Sequence, residues 1–343
     1  MTHEFKDIVL QALKGRKNNL KSVLASVVAL DGSSYRRPGV RMLILENGQM
    51  VGAVSGGCVE KEILLQSQAV FKTCEPKIMI YDGKYRLGCE GVLYILLELF
   101  QPETAFEKTF LESIEQRDSF QIQSFFIKKE GFTSGIGSIV KLNSNEFSIQ
   151  GKQIEKVNKE QLAVFEQDMP ACFKLIIIGA EHDAVQLCKY AALTGWEVTV
   201  VSGHKEPKFI KNFPGAKEFY SMSPEEISLL SIDNQTSIVL MTHNFANDLR
   251  FLVALKSSKP NYIGILGPIN RREDLLSQFM EYEPEINDSF FDVIYGPAGI
   301  NIGSETPQEI AVSIVAEILG ITRKKSVNSL NKISGKIHKS VIN

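Results

Sequence analysis

"KLIIIGAEHDAVQLC", residues 174–188, is the stretch on which the reading of the fold turns. An apolar run through Ile178 stops at Gly179, and Ala184, Leu187 and Cys188 then recur at helical spacing. Strand, glycine, helix is the opening of a βαβ unit. The pattern repeats downstream, with "WEVTVVSG", "TSIVLMTH", "NYIGILG" and "DVIYGPAG" as short apolar strands. Between them lie helical stretches such as "DLRFLVALKSS" and "RREDLLSQFM". Alternating strands and helices imply a parallel sheet wrapped on both faces. The segment 169–322, starting at Met169-Pro170, is therefore predicted to be an α/β domain with a Rossmann-like, doubly wound parallel sheet. It closes on "TPQEIAVSIVAEILG", with Thr306 as N-cap, Pro307 at N1, Glu309 completing a capping box and Gly320 as the stop.

The same stretch argues against ordinary NAD(P) binding. Ala184 suits the third, packing position of a dinucleotide turn, but Glu181 stands where a glycine would admit the pyrophosphate. At the end of the next strand Ser202 stands where an acid would hold the ribose hydroxyls. Gly179 and His182 remain candidates for contact with a ligand, His182 equally as a helix cap. His243 follows an apolar strand at the edge where such sheets bind ligands, with Asp248 five residues on. It could act as general base, anion partner or metal ligand.

Upstream, residues 1–168 read as a smaller α+β domain. "THEFKDIVLQALKGRK" carries Phe5, Ile8, Val9 and Leu13 at helical spacing, an amphipathic helix rather than a secretory segment. Asn47-Gly48 joins two short apolar runs as a hairpin, and a helix is predicted from Cys58 to Phe71. After residue 100 a helix and two or three polar-faced antiparallel strands form a β-rich extension without a chemical signature.

Within that domain, "AVSGGCVE", residues 53–60, places Cys58 behind Ser55, Gly56 and Gly57 and ahead of a helix. Free backbone N–H groups at a helix start favour anions and thiolates. A buried cysteine beneath a glycine turn is the competing reading. "YRLGCEG", residues 85–91, sets Cys89 among glycines in the same way, and "DGSSYRRPGVRM" adds Arg36, Arg37 and Arg41. That arginine cluster suits a phosphate or carboxylate, or else forms a solvated hairpin edge. Cys172 and Cys188 read as core and Cys74 as a helix end.

The whole chain sets bounds on these readings. At 343 residues it is long enough for two cores. Thirty-eight basic against 40 acidic residues give no reason to expect nucleic acid or membrane as partners. Five cysteines without CxxC spacing fit a reducing, cytoplasmic setting. From residue 323 a basic tail without acids is expected to be frayed.

Taken in order, "DGSSYRRPGVRMLILENGQMVGAVSGGCVEKEI", "YRLGCEG", "IIIGAEHDAVQL", "VLMTHNFANDL", "YIGILGPINRR" and "GPAGINIGSETPQEIAVSIVAEILG" resemble the XdhC/CoxI family. These are accessory proteins of xanthine dehydrogenase and related molybdenum hydroxylases. The resemblance implies a non-catalytic chaperone that binds molybdopterin-based molybdenum cofactor, protects it during sulfido exchange and delivers it to an apo-hydroxylase. A cysteine desulfurase as second partner and a homodimer are further implications. Cys58, as metal ligand or contact, and Cys89 fall on the family's cysteine positions. Departures are Glu181, Ser202, Asn244 where Asp is common and Pro268 where Ser is common. They bear on nucleotide binding more than on cofactor binding. An NAD(P)-dependent oxidoreductase and an interaction scaffold with inert cysteines stand as the alternatives.

Overall fold

The computed structural model describes residues 1–32, 37–55, 57–83, 91–152, 162–204 and 207–332, the side chain of Cys58 excepted. The chain divides between Ala171 and Cys172 into two compact units.

The first unit opens with α1 (Thr2–Lys17), then β1 (Ser22–Asp31), β2 (Arg41–Leu45) and β3 (Met50–Gly52). Then come α2 (Cys58–Thr73), β4 (Lys77–Asp82), β5 (Val92–Leu99), α3 (Thr104–Glu115), β6 (Phe120–Phe126) and β7 (Gly131–Phe132). It ends with β8 (Gly137–Leu142), β9 (Asn145–Ser148) and β10 (Ala163–Met169). Six antiparallel strands form one sheet in the order β3-β2-β1-β5-β4-β7, and a second runs β10-β6-β8-β9. The β2–β3 hairpin turns at Asn47-Gly48, where Gly48 takes φ 87° and the Asn47 side chain accepts the Gln49 N–H. Pleating then divides the residues of each strand between two faces. Val23, Ala25, Met42 and Ile44 pack with Val59 and Ile63 of α2. Leu24, Leu43 and Leu45 pack instead with Phe5, Ile8 and Val9 of α1 and with the second sheet. The fourth strand of that sheet, β10, escapes the sequence pattern. Its burial does not alternate cleanly, so no period of two marks it.

The second unit contains β11 (Lys174–Ile178), α4 (His182–Leu193), β12 (Glu197–Ser202), β13 (Ala216–Ser221), β14 (Thr236–Leu240) and α5 (Phe245–Ala254). It continues with β15 (Tyr262–Ile265), α6 (Ile269–Tyr282), β16 (Ile294–Tyr295) and α7 (Pro307–Thr322). All six strands are parallel, in the order β13-β12-β11-β14-β15-β16, the Rossmann arrangement with its switch point between β11 and β14. Leu175, Ile177, Val198 and Val200 cover one face together with α4 and α7. Ile176, Ile178, Ile238 and Leu240 cover the other with α5 and α6. The capping box of α7 is present, with the Glu309 N–H donated to Thr306 Oγ1 at 3.3 Å and the Thr306 N–H to Glu309 Oε2 at 3.0 Å. Gly320 does not end that helix, which runs on to Thr322. A Cβ at Gly320 would sit 3.2 Å from Val327 Cγ2, so the glycine admits the returning chain. Residues 333–343 of the basic tail lie outside the described residues.

No helix among the described residues is long and apolar enough to cross a membrane.

Candidate functional site

The first candidate site is built where α2 begins. Val59 and Ile63 are fully buried against the sheet, which fixes the helix axis and hence the position of its first turn. Gly57 is the N-cap, with φ 74° and ψ −57°, a conformation that disfavours a side chain. No side chain caps the helix, and no atom of a described residue lies within 4 Å of where a Gly57 Cβ would be. That side of the turn is therefore clear of described atoms beyond its chain neighbours, and amides of the first helical turn have no intrahelical acceptor. Cys58 is the first residue of α2. Gly56, Arg36 and Cys89 lie outside the described residues, as does the Cys58 side chain.

A residue the sequence reading passed over completes this turn. Glu60 is 8% exposed and folds back so that its Oε1 accepts the Ser55 N–H at 2.6 Å. Its Oε2 is buried and has no partner among the described residues. Leaving a buried acceptor unsatisfied costs about 1–3 kcal/mol, and no described residue supplies the donor here. The signal was present in the sequence: Glu60 stands three residues after the N-cap, the spacing of a capping box, but Gly57 has no side chain to complete one.

The predicted arginine cluster is divided. Arg37 is exposed, whereas Arg41 is 6% exposed and lies on the face of the sheet opposite α2. Strand alternation is the cause: Met42 and Ile44 face α2, so Arg41 and Leu43 face α1. There the Arg41 guanidinium lies 5.6 Å from the Phe5 ring, donates to the Gly39 carbonyl at 2.9 Å and meets Gln167 Oε1. Burial pulls its pKa down to about 10, against the opposing pull of buried Glu98. Arg41 is thus removed from the predicted site: the sheet stands between it and the start of α2.

The second candidate site is the crevice at the carboxyl ends of β11 and β14. Gly179 takes φ 138°, and a Cβ there would lie 2.2 Å from the Met241 carbonyl oxygen. The glycine is demanded by the neighbouring loop, without any need for a phosphate. Glu181 is exposed, 3.5 Å from Lys208 Nζ, which also donates to the Ala180 carbonyl at 2.6 Å. His182 is exposed at the first position of α4. His243 takes φ 55° and places Nε2 3.6 Å from Asp183 Oδ2, with 48% of its side chain exposed. The fold therefore brings Gly179, His243 and the start of α4 together at the switch point. Asp248 does not join them. It is 1% exposed, accepts from the Thr242 N–H and hydroxyl at 3.2 and 2.7 Å, and pairs with Arg271 at 2.6 Å. Ser202 is buried, with no partner for its hydroxyl among the described residues. No group of three or more His, Cys, Asp or Glu side chains among the described residues is arranged to hold a metal.

Of the other cysteines, Cys172 and Cys188 are buried and Cys74 is exposed. Burial pushes the Cys188 thiol up to about 11.

Comparison with known proteins adds an independent line. A family described as the XdhC Rossmann domain matches residues 175–318, and the XdhC and CoxI family matches residues 16–82. A Bacillus subtilis (strain 168) protein named as a probable subunit of xanthine dehydrogenase is 30% identical over 322 residues, 89% of this chain and 94% of that protein. The Escherichia coli (strain K12) protein named "Molybdenum cofactor insertion chaperone PaoD" is 22% identical over 94% of this chain and 90% of its own length. A crystal structure described as a xanthine dehydrogenase from Bacillus halodurans superposes with a TM-score of 0.76 at 26% identity, covering 93% of this chain and 96% of that one.

Proposed function

The chain belongs to the XdhC and CoxI family, and from that premise we propose that it is an accessory protein of a molybdenum hydroxylase of the xanthine dehydrogenase type. Its task is to bind the molybdenum cofactor and hand it to the apo-enzyme. The observation that carries the reading is the glycine turn at the head of α2, where no described atom beyond the chain neighbours lies within 4 Å of a Gly57 Cβ and Cys58 opens the helix. The likeness to a relative named as a molybdenum cofactor insertion chaperone supports it.

The residues present fit such a guest. Amides in the first turn of α2, which have no intrahelical acceptor, suit a phosphate, and a thiol at that position is stabilised as thiolate, a soft ligand for molybdenum. When bound, the cofactor supplies the redox centre that the hydroxylase later uses; this chain's residues hold and orient it. Cys89 supports Cys58 in this reading, a cysteine desulfurase supplies the sulfido ligand, and the carrier acts as a cytoplasmic homodimer. The second unit is not given a nucleotide. Gly179 is filled from behind by Met241, and Glu181 and Lys208 occupy the loop where a diphosphate would lie.

The test is anaerobic cofactor binding by the wild type and Cys58→Ala, read from the fluorescence of the oxidised pterin retained after gel filtration. The wild type is expected to retain pterin and the variant to lose at least ten-fold in affinity. Equal retention by both, or none by the wild type, overturns the assignment, and a fluorescence response to added NAD(H) would favour the oxidoreductase reading instead. Iodoacetamide labelling at neutral pH in a Cys74→Ser background removes the exposed competing thiol and tests the scaffold alternative, in which Cys58 stays unreactive.

A further inference from the structure

We propose that α7 is the surface through which two copies of this chain associate, the two helices crossing antiparallel at Ala316. The inference rests on the homodimer named in the reading above and deepens it by assigning the face. It takes nothing from cofactor binding. The starting point is a helix with two apolar sides. Ala311, Ile314, Val315 and Ile318 pack into the core of the second unit. From Ile310 to Thr322 the sequence has one charged residue, Glu317, and its carboxylate is held by the protein, accepting the Tyr262 hydroxyl at 2.7 Å and the Gly299 N–H at 2.8 Å. The solvent side is apolar as well: Val312 is 43% and Leu319 36% exposed, with Ala316 partly exposed between them. A surface helix ordinarily turns a polar side to water. Single exposed apolar residues such as Leu193 and Leu229 are common and mark nothing, but on α7 they are in register. Glu309, Val312, Ala316, Leu319 and Arg323, all at least partly exposed, follow at intervals of three and four residues, the spacing of a seam on which a second helix lies.

The ends of the seam say which second helix fits. An acid, Glu309, stands seven residues before Ala316 and a base, Arg323, seven residues after it, so each lies about 10 Å along the helix axis from that alanine. A two-fold axis at Ala316 runs one helix against the other in reverse. Each Glu309 then falls opposite the Arg323 of the other copy. Val312 and Leu319, four and three residues from the axis, meet across it, and the small Ala316 side chains let the helices approach closely. A parallel pair would instead set acid on acid and base on base, so the charges select the antiparallel arrangement. Such self-complementarity is what an isologous dimer requires. The seam is short, and the dimer it supports is weak, with a Kd on the order of micromolar.

Sedimentation equilibrium of the full-length protein across the micromolar range tests the assignment, with thermal unfolding and anaerobic cofactor retention measured on the same samples. The wild type is expected to dimerise. Val312→Glu places a charge in the seam and should weaken the dimer at least ten-fold, while its unfolding temperature stays within a few degrees because the side chain is already exposed. Arg323→Glu should weaken it several-fold at low salt and less at high salt, where charges are screened. Lys324→Glu, the same charge change just beyond the seam, should leave it intact. Ala316→Cys in a Cys74→Ser background should give a disulfide-linked dimer under mild oxidation that the Cys74→Ser parent does not form. A monomeric wild type overturns the inference and the homodimer together, whatever the cofactor result. A dimer that Val312→Glu and Arg323→Glu leave unchanged, with no cross-link through Ala316→Cys, overturns this face and leaves the homodimer standing. If the variants behave as expected but the wild type retains no cofactor, this inference holds and the carrier reading falls.

Discussion

Gly57 with Glu60 and Gly179 with Glu181 are glycine turns that lead into a helix and are followed by a glutamate, and the structure uses them in opposite ways. At Gly57 the missing side chain leaves space that no described atom enters, whereas at Gly179 the Met241 carbonyl oxygen already stands where a Cβ would go. Glu60 is buried, with one oxygen that no described residue meets; Glu181 is exposed beside Lys208. The second unit thus closes its loop crevice with its own groups, Lys208 on Ala180 and Asp248 on Thr242 and Arg271. At the head of α2 no described residue of the first unit fills the place of a Gly57 Cβ or meets Glu60 Oε2. A glycine in such a turn signals either close packing or room for a guest, and only the neighbours tell which.

Alanine substitution separates the two cases most sharply. Gly179→Ala must overcome a positive φ and a 2.2 Å approach to backbone that cannot swing aside. Strain and overpacking together predict a loss of about 3–5 kcal/mol. Gly57→Ala meets the backbone term, φ 74°, with no described atom beyond its chain neighbours within 4 Å, and should cost about 1–2 kcal/mol. Denaturant unfolding of both variants measures the difference. Equal losses would break the contrast.

The loop after β14 depends next on Asp248. Asp248→Ala strips Arg271 of its partner and leaves the Thr242 N–H and hydroxyl unsatisfied. A fully buried broken pair costs about 3–5 kcal/mol, and because Arg271 remains partly exposed we expect about 2–3 kcal/mol. Asp248→Asn, which can still accept from Thr242, should recover part of it. A neutral Asp248→Ala variant would mean that the loop is not held by this network.

How far the sequence displays this difference depends on the kind of signal. The second unit is legible because each strand is a short apolar run and each helix has its own stripe, so local periodicity carries the whole layer order. The Thr306 capping box is legible because both partners are side chains at fixed spacing. The first unit is less so. The side of the sheet on which Arg41 falls depends on register against Ser26, which "VRMLIL" alone does not specify, and β10 lacks an alternating face. The position of Glu60, three residues after the N-cap, is visible in the sequence, but its partner is the backbone N–H of Ser55, which no residue type announces. Gly179 carries the glycine of a dinucleotide turn yet is demanded by Met241, a contact between segments more than sixty residues apart.

The smallest expected effect lies in the interior of the first unit, where polar groups are again left over. Glu98 is fully buried, its Oε2 accepting from the Ser138 N–H at 2.9 Å and from Gln150 at 3.1 Å, while its Oε1 has no partner among the described residues. Burial raises its pKa above the usual 4.5, and the bonds to Ser138 and Gln150 and the charge of Arg41 offset this only in part. The folded chain therefore holds this proton more tightly than the unfolded chain. The corresponding stability is complete below about pH 4.5 and is lost as pH rises through the raised folded value. Glu98→Gln keeps an oxygen for Ser138 and has no proton to lose, so its stability relative to the wild type should increase from pH 4 toward neutrality. Because every other group titrates alike in the two proteins, the difference between their unfolding curves isolates this one carboxyl. A difference that stays flat with pH, or grows in favour of the wild type, would show that Glu98 is compensated in the fold. In that case a buried carboxylate oxygen without a partner among the described residues of the first unit would not by itself mark a cost to the fold.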